Sequence, residues 1–224
     1  SGAASLTARA PGRARRVLKP HSMVDDLPPQ LGRFRLLHRL GEGAQATVWL
    51  AHDPLLDREV FQDADMQYLV RLMDAAPWRD RIHSLRIGGN DLLSLLHMRR
   101  PRGRTIYETP VGHVIARLAT TFIPYGFSLS APVFEHFDDT ETLGREIEVD
   151  LNHGLVGKTA IHPTQVPFIE NHYRVDQKDL ETALRILNHD APGVFKLHQS
   201  MCEPATHRPW ARSILDAARC FGCN

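Results

Sequence analysis

The sequence predicts an α/β fold built on a short parallel sheet, and three observations predict it. From about residue 61 onward, stretches with helical and strand-like periodicity alternate as helix–strand–helix–strand–helix–strand–helix, the order expected of parallel strands joined by crossover helices. Breakers punctuate that order: Gly88-Gly89 closes the first strand-like stretch and His162-Pro163 the third. Composition is that of an ordinary globular chain, with 42% apolar and 24% charged residues.

The elements follow in order. Residues 1–30 read as a polar leader that ends in Pro28-Pro29. Its start carries Arg9, Arg13, Arg15, Arg16 and Lys19 with no acid before Asp25. Such a start imitates an organelle transit peptide, but it offers nothing apolar to bury and is expected to be disordered. Phe34 to Leu40 and Val48 to His52 read as two strands of a hairpin around a glycine loop. Over 61–76, Met66, Leu69, Val70 and Met73 recur at helical spacing, and Pro77 ends that helix. Ile82 to Ile87 is a short strand, and Asp91 to Met98 a helical turn. A basic loop covers 99–108. Thr109 and Pro110 open a helix that runs to about Ile123, since proline is tolerated in a first turn. A strand is predicted from Phe127 to Val133, a helix from Asp139 or Thr140 to Asn152, and a third strand from Val156 to Ile161. Helices are predicted over about 164–172, 177–189 and 206–219. Three parallel strands do not close a barrel, which takes eight in its common form.

The bulk numbers exclude several classes. At 224 residues the chain holds one domain or a little more. No apolar run approaches the roughly 18 residues that span a bilayer, and no signal-peptide core is present, so a cytoplasmic location is expected. A net charge of +1 gives no whole-chain case for nucleic acid. Cys202, Cys220 and Cys223 do not make a disulfide framework. Cys220 and Cys223 form one C-x-x-C without the second pair that structural zinc needs, so free thiols are expected.

Two segments carry motifs. In the first, Gly41-x-Gly43-x-x-Ala46-x-Val48 matches a glycine-rich phosphate loop in which backbone amides fold over nucleotide phosphates. With the flanking strands and Trp49-Leu50-Ala51-His52-Asp53, residues 31–58 resemble the opening of a bacterial Ser/Thr protein kinase. That resemblance makes Gly41 and Gly43 candidate nucleotide-binding positions. The lysine of the next strand, the H-R-D loop and the D-F-G motif of such kinases are missing: Phe61-Gln62-Asp63 follows Val60.

In the second, residues 59–222 contain Arg86-Ile87-Gly88-Gly89-Asn90-Asp91-Leu92, then Gly157-Lys158-Thr159-Ala160-Ile161-His162-Pro163-Thr164-Gln165, then a tail with Gly193-Val194-Phe195, Met201, Glu203, His207 and Trp210-Ala211. This stretch resembles the HpcH/HpaI aldolase and citrate lyase β-subunit family, within it the carbon–carbon bond lyases found beside bacterial tellurium-resistance-type genes. The resemblance implies a (β/α)8 TIM barrel, of which 59–190 is the later part with the last three βα units and 191–224 a helical arm. It implies Mg2+ held by one Glu and one Asp, a small carboxylate or acyl-CoA substrate, and cleavage that leaves an enolate whose charge a hard cation stabilises.

By resemblance Asp91 is the metal-binding aspartate; read from spacing alone, it caps the helix that follows. The partner glutamate falls on Leu56, with Asp57 one residue out of register and pointing to the other face of a strand. Glu135, after Ala131-Pro132-Val133-Phe134, and His162 are catalytic candidates at strand ends, His162 also reading as a plain turn. Lys158 is a candidate for holding a phosphate or carboxylate, or else a solvated residue. The run Arg99-Arg100-Pro101-Arg102-Gly103-Arg104 is either a grip for a phosphorylated substrate or a solvated loop. With five barrel strands missing, an exposed apolar face and self-association are expected. Three functional classes result: a metal-dependent lyase by ancestry with an incomplete and inactive site, a kinase-like ATP-binding fragment, and a fused reading frame without activity.

Overall fold

A computed structural model of the chain describes residues 63–224 in full and the strand backbone of 3–9, 30–31, 34–42 and 46–52. Two units make up the chain, Ser1–Ile161 and His162–Asn224.

The first unit is organised by a sheet and by helices that pack against β5 and β6. β1 (Ala3–Arg9), β2 (Gln30–Leu31), β3 (Phe34–Glu42), β4 (Ala46–His52), β5 (Ile82–Arg86) and β6 (Leu129–Ser130) lie in the order β2-β3-β4-β1-β5-β6. β3 and β4 pair antiparallel, while Gly43 lies outside the described residues. β1 pairs antiparallel with β5, Thr7 facing Ser84. β5 and β6 are parallel, with Leu85 opposite Leu129 and Arg86 opposite Ser130. The predicted third strand is reduced to a parallel bridge between Ala131 and Lys158, held by Ala131 N donating to Gly157 O at 2.7 Å. β6 is shorter than the predicted 127–133 for a chemical reason. Pro132 has no N–H to continue the ladder.

The helices follow their sequence signals. α1 (Asp63–Asp74) buries Met66, Val70 and Met73, one stripe of a 3.6-residue period, and Arg117 Nη1 meets Asp63 Oδ1 at 2.9 Å. α2 (Gly89–Leu95) starts at the glycine pair, and α3 (Val111–Phe122) buries Val111, Val114, Ile115, Ala119 and Phe122. α4 (Thr140–Asn152) begins as predicted: Asp139 caps it, its carboxylate accepting from Thr142 N at 3.0 Å. The core joins α1, α2 and α3 to Ile87, Leu129, Ala131 and Leu155.

The opposite face of β5 and β6 holds a cleft. Strand side chains alternate, and the residues between the core positions are Ser84, Ser128 and Ser130. With Gly157 and Thr159 they line a cleft of about 260 Å³. Val156, 46% exposed, borders the same cleft.

In the second unit, α5 (Gln165–His172), α6 (Gln177–Leu187) and α7 (Pro204–Phe221) accompany a hairpin of β7 (Phe195–Leu197) and β8 (Ser200–Cys202). Ala183, Ile186, Cys202 and Ala211 form its core. The hairpin was not predicted. Its two turn residues, His198 and Gln199, both take positive φ, at 47° and 67°. Such turns are normally announced by Asn-Gly or Gly-Gly. All three cysteines are free. Among the described residues no helix is long and apolar enough to cross a membrane.

Candidate functional site

β5 and β6 run side by side in the same direction, so the segments leaving their C-terminal ends are neighbours. Asp91 and Glu135 each lie on one of these segments, the end of an α/β sheet at which barrel enzymes place reacting groups.

Asp91 does not cap α2; the cap position is Gly88 and no side chain bonds there. Asp91 sits inside the first turn, and its carboxylate lies directly over Gly88. A Cβ on Gly88 would stand 2.6 Å from Asp91 Oδ2. A Cβ on Gly89 would stand 2.7 Å from both Ile106 and Pro132. The glycine pair thus lets the helix start pack against the segment that leaves β6. Burial pushes the Asp91 carboxyl pKa upward, and the positive charge of Arg86 at the end of β5 opposes that.

Glu135 is three-quarters buried, its side chain 23% exposed, with Arg99 Nε 3.9 Å from Oε2. That oxygen has no hydrogen-bond donor among the described residues.

Lys158 is not the solvated residue that one of its sequence readings expects. Its side chain is fully buried, and its ammonium donates to Glu146 Oε1 at 2.9 Å and Asp150 Oδ2 at 2.8 Å. Its ammonium is not solvated, and Lys158 is among the residues that line the cleft beside Ser130. The basic run divides likewise. Arg99, Arg102 and Arg104 are exposed, Arg102 lying 3.5 Å from Asp138. Arg100 turns inward, fully buried, and donates to Glu146 Oε2 at 2.5 Å and Val133 O at 2.7 Å.

His162 belongs to the second unit and is exposed. Its Nδ1 lies 2.8 Å from Thr164 Oγ1 and accepts from Thr164 N at 3.3 Å, the geometry of a local turn before α5. Gly41 is the residue before the last of β3, and the loop that would make it a phosphate site lies outside the described residues, as do Leu56 and Asp57.

Sequence reasoning missed Tyr107, Glu146 and Asp150, and read Arg100 only as part of a basic loop. A signal was present. Leu143, Glu146, Ile147 and Asp150 share the i, i+3, i+4, i+7 stripe of α4, and all four are buried. Two acids on an apolar stripe require buried cations to meet them.

Asp150 provides a pH test. Burial raises its carboxyl pKa from the ordinary 3.8; the Lys158 ammonium and the Tyr107 hydroxyl, 2.6 Å from Oδ1, pull the other way. The folded state therefore holds this proton to higher pH than the unfolded chain, and folding takes up a proton above pH 3.8. The contribution to stability falls as pH rises through that window. Glu108 and Asp139 have lowered pKa values, each from a backbone hydrogen bond, and slope the opposite way. They cancel in a comparison with Asp150→Asn. The urea midpoint of the native chain minus that of the variant should decline as pH climbs above 3.8; a flat or rising difference contradicts the assignment.

Known proteins bear on this geometry. The model of a family described as C–C bond lyases of the TIM-barrel fold matches residues 40–223, beginning inside the stretch that resembles a kinase. The structure of the protein CitE from Mycobacterium tuberculosis in complex with magnesium, acetoacetate and coenzyme A is similar at 25% identity. Its TM-score is 0.47, over 60% of this chain and 51% of that one. A citrate lyase from Burkholderia xenovorans LB400 is similar at 18% identity with a TM-score of 0.53, over 71% and 51%. The chain spans about half the length of these proteins. No curated protein matches it.

Proposed function

Because this chain belongs to the C–C bond lyases of the TIM-barrel fold, we propose that it carries the later part of an enolate-forming lyase site and holds that site incomplete. The observation that carries this reading is Asp91, a carboxylate set over a glycine at the end of β5, next to the segment that bears Glu135. Its natural substrates are small carboxylates or their acyl-CoA thioesters, the range that the family resemblance implies.

A hard divalent cation needs several oxygen donors. Asp91 is one. The described residues contain no cluster of three His, Cys, Asp or Glu side chains, and Leu56 stands where the resemblance expects the partner glutamate. Among the described residues Asp91 is not joined by the glutamate of the Glu–Asp pair that the resemblance implies, so no catalytic step is assigned to a metal here. Glu135 is the group suited to handle a proton at a bound substrate, because its carboxylate is three-quarters buried and its Oε2 accepts no hydrogen bond among the described residues. His162 enters through the motif alone.

Titration calorimetry with MgCl2 tests the reading on chains shown to be folded by far-UV circular dichroism. No saturable binding tighter than about millimolar is expected. Saturable binding that disappears in Asp91→Ala would keep Asp91 as a ligand and overturn the incompleteness. Binding that persists in the variant would remove Asp91 from the site.

A further inference from the structure

One buried cluster in the first unit is used by none of the chemistry above. Arg100, Glu146, Asp150 and Lys158 all have side chains with no solvent exposure, two positive against two negative. They come from three separate segments: the loop after α2, helix α4 and the bridge segment at Lys158. Glu146 is the hub. Its Oε2 accepts from Arg100 Nη1 and from Ile106 N at 2.7 Å, and its Oε1 from Lys158 Nζ. Asp150, one turn further along α4, takes a second bond from Lys158 and one from the Tyr107 hydroxyl. Arg100 then extends the cluster outward. Its second nitrogen donates to Val133 O, two residues before Glu135.

We infer that Glu146, Arg100 and Lys158 are positioning residues that fix the Pro132–His136 segment, and with it Glu135, against α4 and the Lys158 bridge. Lys158, the charged residue of the motif at Gly157–Gln165, serves this scaffold and not a ligand. The inference deepens the lyase reading and rests on it only for the work assigned to Glu135. The coupling itself requires no ligand and no turnover. The chemistry favours arginine at position 100. Its planar fork serves Glu146 and the Val133 carbonyl together, whereas the point charge of a lysine cannot copy that two-way geometry. A buried charge cluster of this kind is better suited to specifying an arrangement than to adding stability.

Two measurements on the full chain test this. Backbone NMR order parameters of 133–136 should be near 0.85 in the native chain and fall below about 0.6 in Arg100→Lys, with α3 and α6 staying near 0.85. Unchanged values at 133–136, or a fall throughout the chain, would overturn the inference. Failure of the lyase reading would leave this result untouched, which separates the two. Competitive acetylation with acetic anhydride, read by mass spectrometry on the unaltered chain, covers Lys158 without a variant. Its amine should react at least about tenfold more slowly than those of the exposed Lys178 and Lys196. Equal rates would place Lys158 within reach of a ligand and overturn its assignment to the scaffold.

Discussion

Replacing Glu146 by glutamine lowers the stability of the folded chain by about 3–5 kcal/mol, the usual cost of removing one partner from a buried ion pair. The reason is the asymmetry of the cluster. Arg100 and Lys158 have no solvent exposure and would keep their charges facing a neutral amide. Asp150 compensates only one of them. A glutamine still offers one oxygen, but it turns an NH2 group toward a cation on its other side. Urea unfolding followed by circular dichroism measures the loss. A loss below about 1 kcal/mol, the size of an exposed pair, would mean that water reaches these groups.

Phe134→Ala is expected to cost about 3–5 kcal/mol, the range for deleting a buried aromatic ring. Phe134 is 1% exposed. The Arg100 guanidinium lies 5.2 Å from its ring centroid, and the His136 ring stands edge-on at 5.9 Å. Truncation therefore opens a cavity beside the charged cluster and loosens the same segment that carries Glu135. Phe137, three residues on and 54% exposed, is the control: Phe137→Ala should stay within about 0.5 kcal/mol. Equal losses at the two positions would mean that Phe134 is not in the core. The two large predictions share one neighbourhood, and the double variant should show a coupling energy and not a simple sum, because Arg100 touches both sites.

Helix placement was legible because its signals are local. Met66, Val70 and Met73 mark α1 by spacing, and Asp139 marks the start of α4 by its capping chemistry. The direction of β5 and β6 followed from the helix between them, since a crossover returns the chain to the same end of the sheet. The position of Asp91 after a strand end was legible for the same reason. Elements without a local signal were missed. The β7–β8 hairpin turns at His198-Gln199, which lacks the usual glycine or asparagine. The third strand has apolar residues enough, yet only Lys158 bridges to Ala131.

The sequence by itself determined the alternating α/β order, the helix boundaries near Asp63, Thr140 and Gln177, and the motif that ties the chain to a lyase family. Only the tertiary structure decided what the charged residues do. Arg100 looked like one arginine of a basic loop, and Lys158 like a solvated or ligand-holding lysine. Their partners lie 46 and 12 residues away on α4. Periodicity reports which face a side chain takes within its own element. Which opposite charge meets it there depends on how separate elements pack, and the cost of burying an unpaired charge is what makes that meeting necessary.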